Sequence, residues 1–373
     1  MVHAWQRAIA EAYAGPSEPL DAFSRRCLER AADERARHAQ AMAALRAGLA
    51  AGRMDPLHAA RRLTAQADAC LQAMLGIAID ETIHRRGAPS GRFSVLGMGK
   101  LGGGELTLSS DLDVIFVYQT WSGAYDVAAA DYFHRVSQRL IALLSWSPDW
   151  RSSYEIDVRL RPHGEDGPLA TPLTGMIDYL RQDCWTWELQ ALTRLRAVAG
   201  DADVAAAVLT AARAGAAARD KSEIAAQVAD MRALMDQERP GRDLWDLKLI
   251  AGGLVDIEFI VQALQLQLAA DPGWSFIANT GAALAALAEH GRLRRRDAAA
   301  LHAAWSLYSA VRQMQSALEV DDLTRLSQDG KAALAATLQA SPTQLRTRLI
   351  AHQARVRALF EALVGPVRLE AAA

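Results

Sequence analysis

Apolar positions in this chain follow two periods. Three short stretches alternate or run in the manner of strands, and nearly everything else repeats every three to four residues. The run Phe93 to Leu96 has strand length and stops at Gly97. A second run, Val114 to Tyr118, is β-branched and aromatic and also reads as a strand. Tyr154 to Gly164 alternates strictly: Tyr154, Ile156, Val158 and Leu160 take one face, and Glu155, Asp157, Arg159 and Arg161 the other. Between the first two runs lies Gly97-Met-Gly-Lys-Leu-Gly-Gly-Gly104, which predicts a tight turn.

The helical pattern fills both flanks. Asp21 to Ala51 predicts one helix, and Gly-Arg-Met-Asp-Pro at 52–56 breaks it. Asp55 is placed to cap the next helix with Pro56 at its first position; that helix runs through Leu71, Leu75 and Ile79 toward Arg86. Arg85 to Gly91 reads as a linker. Val127 to Leu144 is amphipathic, and Ser147 to Ser153 breaks it. Thr171 or Thr174 would cap a helix through Tyr179, and Trp185 and Trp187 read as core. An alanine-rich helix is expected over 202–238, with a break at Arg239 to Arg242. Further helices are expected after the Gly252-Gly253 pair and at about 279–290, 296–320 and 341–364. Arg292 to Arg296 reads as a solvated turn, and no internal repeat stands out. The class expected is α+β: a small mixed sheet among many helices.

Composition narrows the function. A length of 373 residues suggests two or three domains, and 51% hydrophobic residues supply a sizeable core. A net charge of −2 argues against nucleic acid as the main partner. The three cysteines, Cys27, Cys70 and Cys184, have no metal or redox spacing, which fits a reducing cytoplasm. No apolar run predicts a signal peptide or a membrane span.

The candidate chemistry gathers at Asp111 and Asp113, where the second strand begins. Residues i and i+2 of a strand share a face, with Cα atoms about 7 Å apart. Carboxylates held that close repel unless a cation lies between them. Mg²⁺ suits them, because it takes hard oxygen ligands and leaves positions for substrate phosphate. The preceding glycine turn offers backbone N–H groups to a phosphate. Asp157 on a neighbouring strand would add a third carboxylate and complete a two-metal site, with Arg159 and Arg161 on the same face for phosphate oxygens. Together these features suggest metal-assisted phosphoryl or nucleotidyl transfer. A lone Asp-x-Asp also serves as a solvated loop or cap, and a charged strand face is often only an exposed edge. The glycines fit neither the Walker spacing nor a dinucleotide fingerprint, since no Gly-Lys-Ser/Thr follows and no acidic residue ends the next strand. Arg194 fits a phosphate ligand or an ion pair with a carboxylate such as Glu188. Asp256 and Glu258 fit helix-dipole complementarity at a helix start as well as a function.

Four ordered motifs resemble the glutamine synthetase adenylyltransferase family: Gly97-Met-Gly-Lys-Leu-Gly-Gly-Gly-Glu-Leu, Ser110-Asp-Leu-Asp, Asp157-Val-Arg-Leu-Arg-Pro and Gly252-Gly-Leu-Val-Asp-Ile-Glu-Phe. The resemblance covers about Arg92 to Val364. It implies a DNA polymerase β-like nucleotidyltransferase core over 91–200, after an N-terminal helical segment at 1–90 and before a C-terminal helical bundle at 201–373 for regulation and partner binding. Full-length members carry two such catalytic domains. One attaches AMP from ATP to a tyrosine of glutamine synthetase, and the other removes it by phosphorolysis. Trp185-Thr-Trp-Glu-Leu-Gln-Ala-Leu and Val255-Asp-Ile-Glu-Phe look like the transferase half, whereas Ser109-Ser-Asp is closer to the removing half. Leu189 stands where the transferase half commonly has histidine, and His163 where a smaller or apolar residue is usual. The resemblance implies two Mg²⁺ ions on Asp111, Asp113 and Asp157, with Asp157 helping to deprotonate the tyrosine. It places ATP near Gly102, Gly103, Ser110, Arg159 and Arg161. It names glutamine synthetase and a PII-type signalling protein as partners and glutamine as an effector, in the cytoplasm. Phosphorolytic removal of AMP and a non-enzymatic nucleotide-sensing or partner-binding module stay open as alternatives.

Overall fold

A computed structural model describes residues 21–145 and 154–367. The N-terminal helices fall where the caps put them. Helix α1 spans Ala22–Ala50, with the Asp21 side chain accepting from the backbone N–H of Ser24 at 2.7 Å. Helix α2 spans Pro56–Arg86, with Asp55 accepting from the N–H of His58 at 2.6 Å. Each cap satisfies an N–H that the helix itself leaves without a partner.

Strand β1 (Gly91–Gly97) leads through the short helix α3 (Gly99–Gly103) into strand β2 (Leu112–Thr120). β1 and β2 pair antiparallel, with Gly97 opposite Val114. After helix α4 (Val127–Ser145) comes β3 (Ile156–Asp157), and then β4 (Ala170–Pro172). Both run parallel to β2, β3 at its start and β4 near its end. Helices α5 (Leu173–Gln182) and α6 (Thr186–Leu192) precede β5 (Arg196–Gly200), which pairs antiparallel with β1. The result is a five-stranded mixed sheet.

Strand parity divides the core. Leu112, Val114, Phe116 and Tyr118 face a cluster built from α1, α2 and α4; Phe133 stacks on both Phe93 and Tyr118. Ile115 and Val117 face the other way, onto α5, α6 and α7 (Ala202–Ala217). That second cluster continues through α8 (Lys221–Glu238), α9 (Leu254–Gln267), α10 (Thr280–Glu289), α11 (Arg295–Leu318), α12 (Gln328–Leu338) and α13 (Pro342–Leu363). The N-terminal helices and the sheet therefore share one core. Asp113, by the same parity, faces the side of the helical bundle.

Several expectations need correction. The 202–238 segment is two helices, because Asp220 caps a new one by accepting from the N–H groups of Ser222 and Glu223. Helix α12 lies between the helices expected at 296–320 and 341–364, in a stretch with no strong apolar pattern. Thr171 lies in β4 and Pro172 precedes α5 without a side-chain cap, so neither threonine caps that helix. The Tyr154–Gly164 alternation yields only two strand residues, after which the chain turns and Arg161 is buried. Trp185 and Trp187 are exposed, at 68% and 40%. Their helix begins at a turn that Glu188 closes by accepting from the Trp185 N–H at 2.8 Å. The expected break at 147–153 lies outside the described residues.

Candidate active site

The carboxylates come together. Asp111 immediately precedes β2, Asp113 is its second residue, and Asp157 pairs directly with Asp113 across the parallel ladder. One carboxylate oxygen from each lies within 4.8 Å of the others. The ladder is anchored where Glu155 accepts from the Leu112 N–H at 2.8 Å. The glycine turn is pinned to the same point, since the Met98 N–H donates to the Asp113 carbonyl at 2.8 Å. Gly99 has φ +51°, and a Cβ there would lie 2.3 Å from Asp113 Oδ2. A side chain at 99 would therefore be strained and would displace the carboxylate.

The electrostatics fit a divalent cation. Burial raises the Asp113 carboxyl from 3.8 to about 6, and Asp111 and Asp157 add repulsion. Burial also pushes Asp157 up, but hydrogen bonds from Arg159 outweigh it and hold that carboxyl low. Arg159 donates through its backbone N–H at 2.9 Å and its Nε at 3.0 Å. Three hard oxygen donors, crowded and partly buried, are a suitable set for Mg²⁺. The sign of the linkage gives a test. Between about 4 and about 6, folded Asp113 holds a proton that the unfolded chain releases, so stability of the metal-free protein falls as pH rises across that window. Asp113→Asn removes this cost, so at pH 7 without metal it should be more stable by roughly 2–3 kcal/mol. Added Mg²⁺ should raise the melting temperature of the parent chain and leave the variant unmoved, as thermal unfolding with and without chelator would show.

The other sequence candidates sit differently. Arg161 donates to the carbonyls of Val158 at 2.8 Å, Glu165 at 3.1 Å and Gly167 at 3.2 Å, and so braces the loop after β3. Ser110 Oγ accepts from the Thr107 N–H at 2.9 Å and lies 3.4 Å from Lys100 Nζ. Gly102 and Gly103 face Arg194: a Cβ on Gly102 would lie 1.8 Å from the Arg194 carbonyl oxygen, and one on Gly103 2.3 Å from its guanidinium. Gly102→Ala should therefore lower stability by roughly 1–3 kcal/mol in denaturant titration, from overpacking against backbone.

Arg194 is not paired with Glu188, whose carboxylate instead accepts from the Tyr179 hydroxyl at 2.6 Å. It bridges Glu105 and Glu258, each at 2.8 Å, and so ties the glycine turn to α9. Asn279 adds to the clamp by donating to the Gly103 carbonyl at 2.8 Å. Asp256 is fully buried, pairs with Arg232 and Arg357, and accepts from the Gly252 N–H at 2.7 Å.

Two lysines, Lys100 and Lys248, act on Asp113, and the sequence pattern assigns a role to neither. Lys100 lies inside the glycine run, in α3. Burial lowers its ammonium to about 7, with Arg312 and Lys248 adding repulsion. Arg312 is some 200 positions from Asp111, and nothing local marks it.

Comparison with known proteins settles the lineage. Residues 5–211 match the family described as glutamate-ammonia ligase adenylyltransferase. The chain belongs to that family. Residues 224–364 match a second family, described as GlnD PII-uridylyltransferase. Among curated relatives, the bifunctional glutamine synthetase adenylyltransferase/adenylyl-removing enzyme of Mesorhizobium japonicum is 40% identical over 277 residues, covering 71% of this chain and 28% of the relative. That of Rhizobium meliloti is 44% identical over 226 residues, 58% of this chain and 23% of the relative. That of Caulobacter vibrioides is 36% identical over 324 residues, 84% of this chain and 33% of the relative. The matches thus span a quarter to a third of the relatives' length. No helix among the described residues is long and apolar enough to cross a membrane.

Proposed function

We propose that this adenylyltransferase chain transfers AMP from ATP to a tyrosine of glutamine synthetase, releasing pyrophosphate, on a polymerase β-like nucleotidyltransferase core. The observation that carries the reading is the Asp111–Asp113–Asp157 cluster beside the glycine turn, in a chain of this family. Asp111, Asp113 and Asp157 would hold Mg²⁺, two ions in this reading. Bound there, the metal would lower the pKa of a coordinated hydroxyl and neutralise charge on the phosphates.

The chain's own residues supply the rest. Asp157 helps to take the proton from the attacking tyrosine hydroxyl, and Arg159 holds that carboxylate in place. The tyrosine oxygen then attacks the α-phosphorus of ATP, and pyrophosphate leaves in line. Gly102, Gly103 and Ser110 shape the turn beside the triphosphate. Arg161 acts at one remove, by fixing the loop that carries Arg159. The helical bundle is the part we assign to regulation, with a PII-type protein as partner and glutamine as effector, because its sequence is similar to a PII-uridylyltransferase family. The setting is the cytoplasm.

The test is incubation with unmodified glutamine synthetase, Mg²⁺ and ATP labelled on the α-phosphate. Label should appear on the synthetase and depend on Mg²⁺. Ser109-Ser-Asp favours a second reading, in which phosphate releases ADP from adenylylated synthetase; label-free synthetase together with ADP release would establish that instead.

A further inference from the structure

Two tryptophans stand exposed at one rim of the acidic cluster. Trp185 is 68% exposed and Trp187 40%, although burying an indole is among the larger apolar gains open to a fold. Their outward setting is built in. Glu188 accepts from the Trp185 backbone N–H at 2.8 Å and from the Tyr179 hydroxyl at 2.6 Å, which fixes the turn between α5 and α6. The backbone that carries both indoles is thus set in advance, and little ordering entropy remains to be lost when a partner covers them. The pair adjoins the catalytic end of the sheet. Trp187 lines a narrow cavity with Leu160 and Pro162, from the loop that follows Asp157, and with Ile115. Ile115 is the next residue after Asp113 on that face of β2, about 7 Å further along. His163, in the same loop, sets its ring edge-on to Tyr179, with centroids 4.8 Å apart. Loop and α6 form one surface, running from Asp157 past Arg159, whose side chain is 54% exposed, to the tryptophans.

We propose, resting on the adenylyl-transfer reading for the identity of the acceptor, that Trp185 and Trp187 bind the polypeptide around the acceptor tyrosine and set the specificity for the protein substrate. Sheet order places them on the acceptor side. Strand β3 lies across β2 from β1 and its glycine turn, so the rim flanks Asp157, the carboxylate assigned to the attacking hydroxyl. A tyrosine whose oxygen reaches Asp157 brings its own chain with it. Leu160 is three residues from Asp157, so at most about 11 Å separate their Cα atoms, and three or four extended residues of substrate span the same distance. Those residues come to lie over the loop and against the indoles. The contact suits an apolar or aromatic side chain near the tyrosine, since an indole supplies a large apolar face and tryptophan is enriched among the residues that dominate protein interfaces.

Binding of unmodified glutamine synthetase to the full chain, measured by biolayer interferometry beside steady-state kinetics, tests this. Trp185→Ala removes the more exposed indole and keeps the backbone N–H that Glu188 accepts, so its melting temperature should match the parent's. Trp187→Leu keeps an apolar contact with Leu160 and Pro162. In Trp185→Ala the affinity for the synthetase should fall and its KM rise about tenfold or more, the loss expected of an aromatic anchor, while the KM for ATP stays within about twofold. Trp187→Leu should move the same constants in the same direction. A merely structural role would instead lower the melting temperature and shift the ATP constants as well. Unchanged synthetase affinity and KM in Trp185→Ala overturn the assignment, and so does a parent chain that does not bind the synthetase. Binding by the parent that is lost in Trp185→Ala, with no AMP transferred, would overturn the reaction and leave the tryptophans as the docking residues.

Discussion

Asp157→Asn should lower AMP transfer by roughly 10²–10⁴-fold, the loss expected when a positioned base and metal ligand is made neutral. The change is nearly isosteric, so its effect on the fold should be small. Asp157 sits at the end of a two-residue strand, and its ion pair is with Arg159, whose side chain is 54% exposed. An exposed partner contributes little to stability. Asparagine still accepts from the Arg159 N–H, which keeps the turn after β3. The expected result is therefore near-complete loss of transfer with a melting temperature within a few degrees of the parent. Steady-state kinetics should place the loss in kcat rather than in the KM for ATP, because Asp157 acts on the attacking hydroxyl.

Asp256→Ala should act in the opposite sense, on the fold. This carboxylate is wholly buried and accepts from Arg232, Arg357 and the Gly252 N–H. Arg232 is itself 1% exposed. Removing one partner of a buried pair leaves an uncompensated charge and costs about 3–5 kcal/mol. Asp236 still reaches both arginines, which points to the lower part of that range. Asp256→Asn should cost less, because the Gly252 N–H keeps its acceptor. Urea unfolding of the two variants would rank them. A loss below about 1 kcal/mol for alanine would contradict the structural role assigned to Asp256.

The two cases mark what could be read from sequence. The strands around the site were legible because each is a short run of apolar, β-branched or aromatic residues: Phe93–Gly97 and Val114–Tyr118 fall inside β1 and β2. The helix starts at Asp21 and Asp55 were legible because each cap is a local device. Strand parity set Asp111 and Asp113 side by side, whereas the meeting with Asp157 comes from the β2–β3 pairing, which no local pattern specifies. Long-range pairing could not be read in this way. Arg194 chooses Glu105 and Glu258 over the nearby Glu188. Charged alternation past Asp157 misled for a related reason. Arg161 carries the polar pattern of an exposed face, yet its side chain is buried and its guanidinium is satisfied by three backbone carbonyls of the loop after β3. The exposed Trp185 and Trp187 likewise show that an aromatic residue in an apolar pattern need not turn inward when a turn fixes its backbone.

The most direct measurement runs both directions of the reaction with the same chain. One arm supplies unmodified glutamine synthetase, Mg²⁺ and α-labelled ATP; the other supplies adenylylated synthetase, Mg²⁺ and phosphate. Label should appear on the synthetase with an equal amount of pyrophosphate in the first arm, both abolished by Asp157→Asn. Silence in the first arm with ADP release in the second would contradict the assignment as a transferase, and silence in both would contradict catalysis by the acidic cluster.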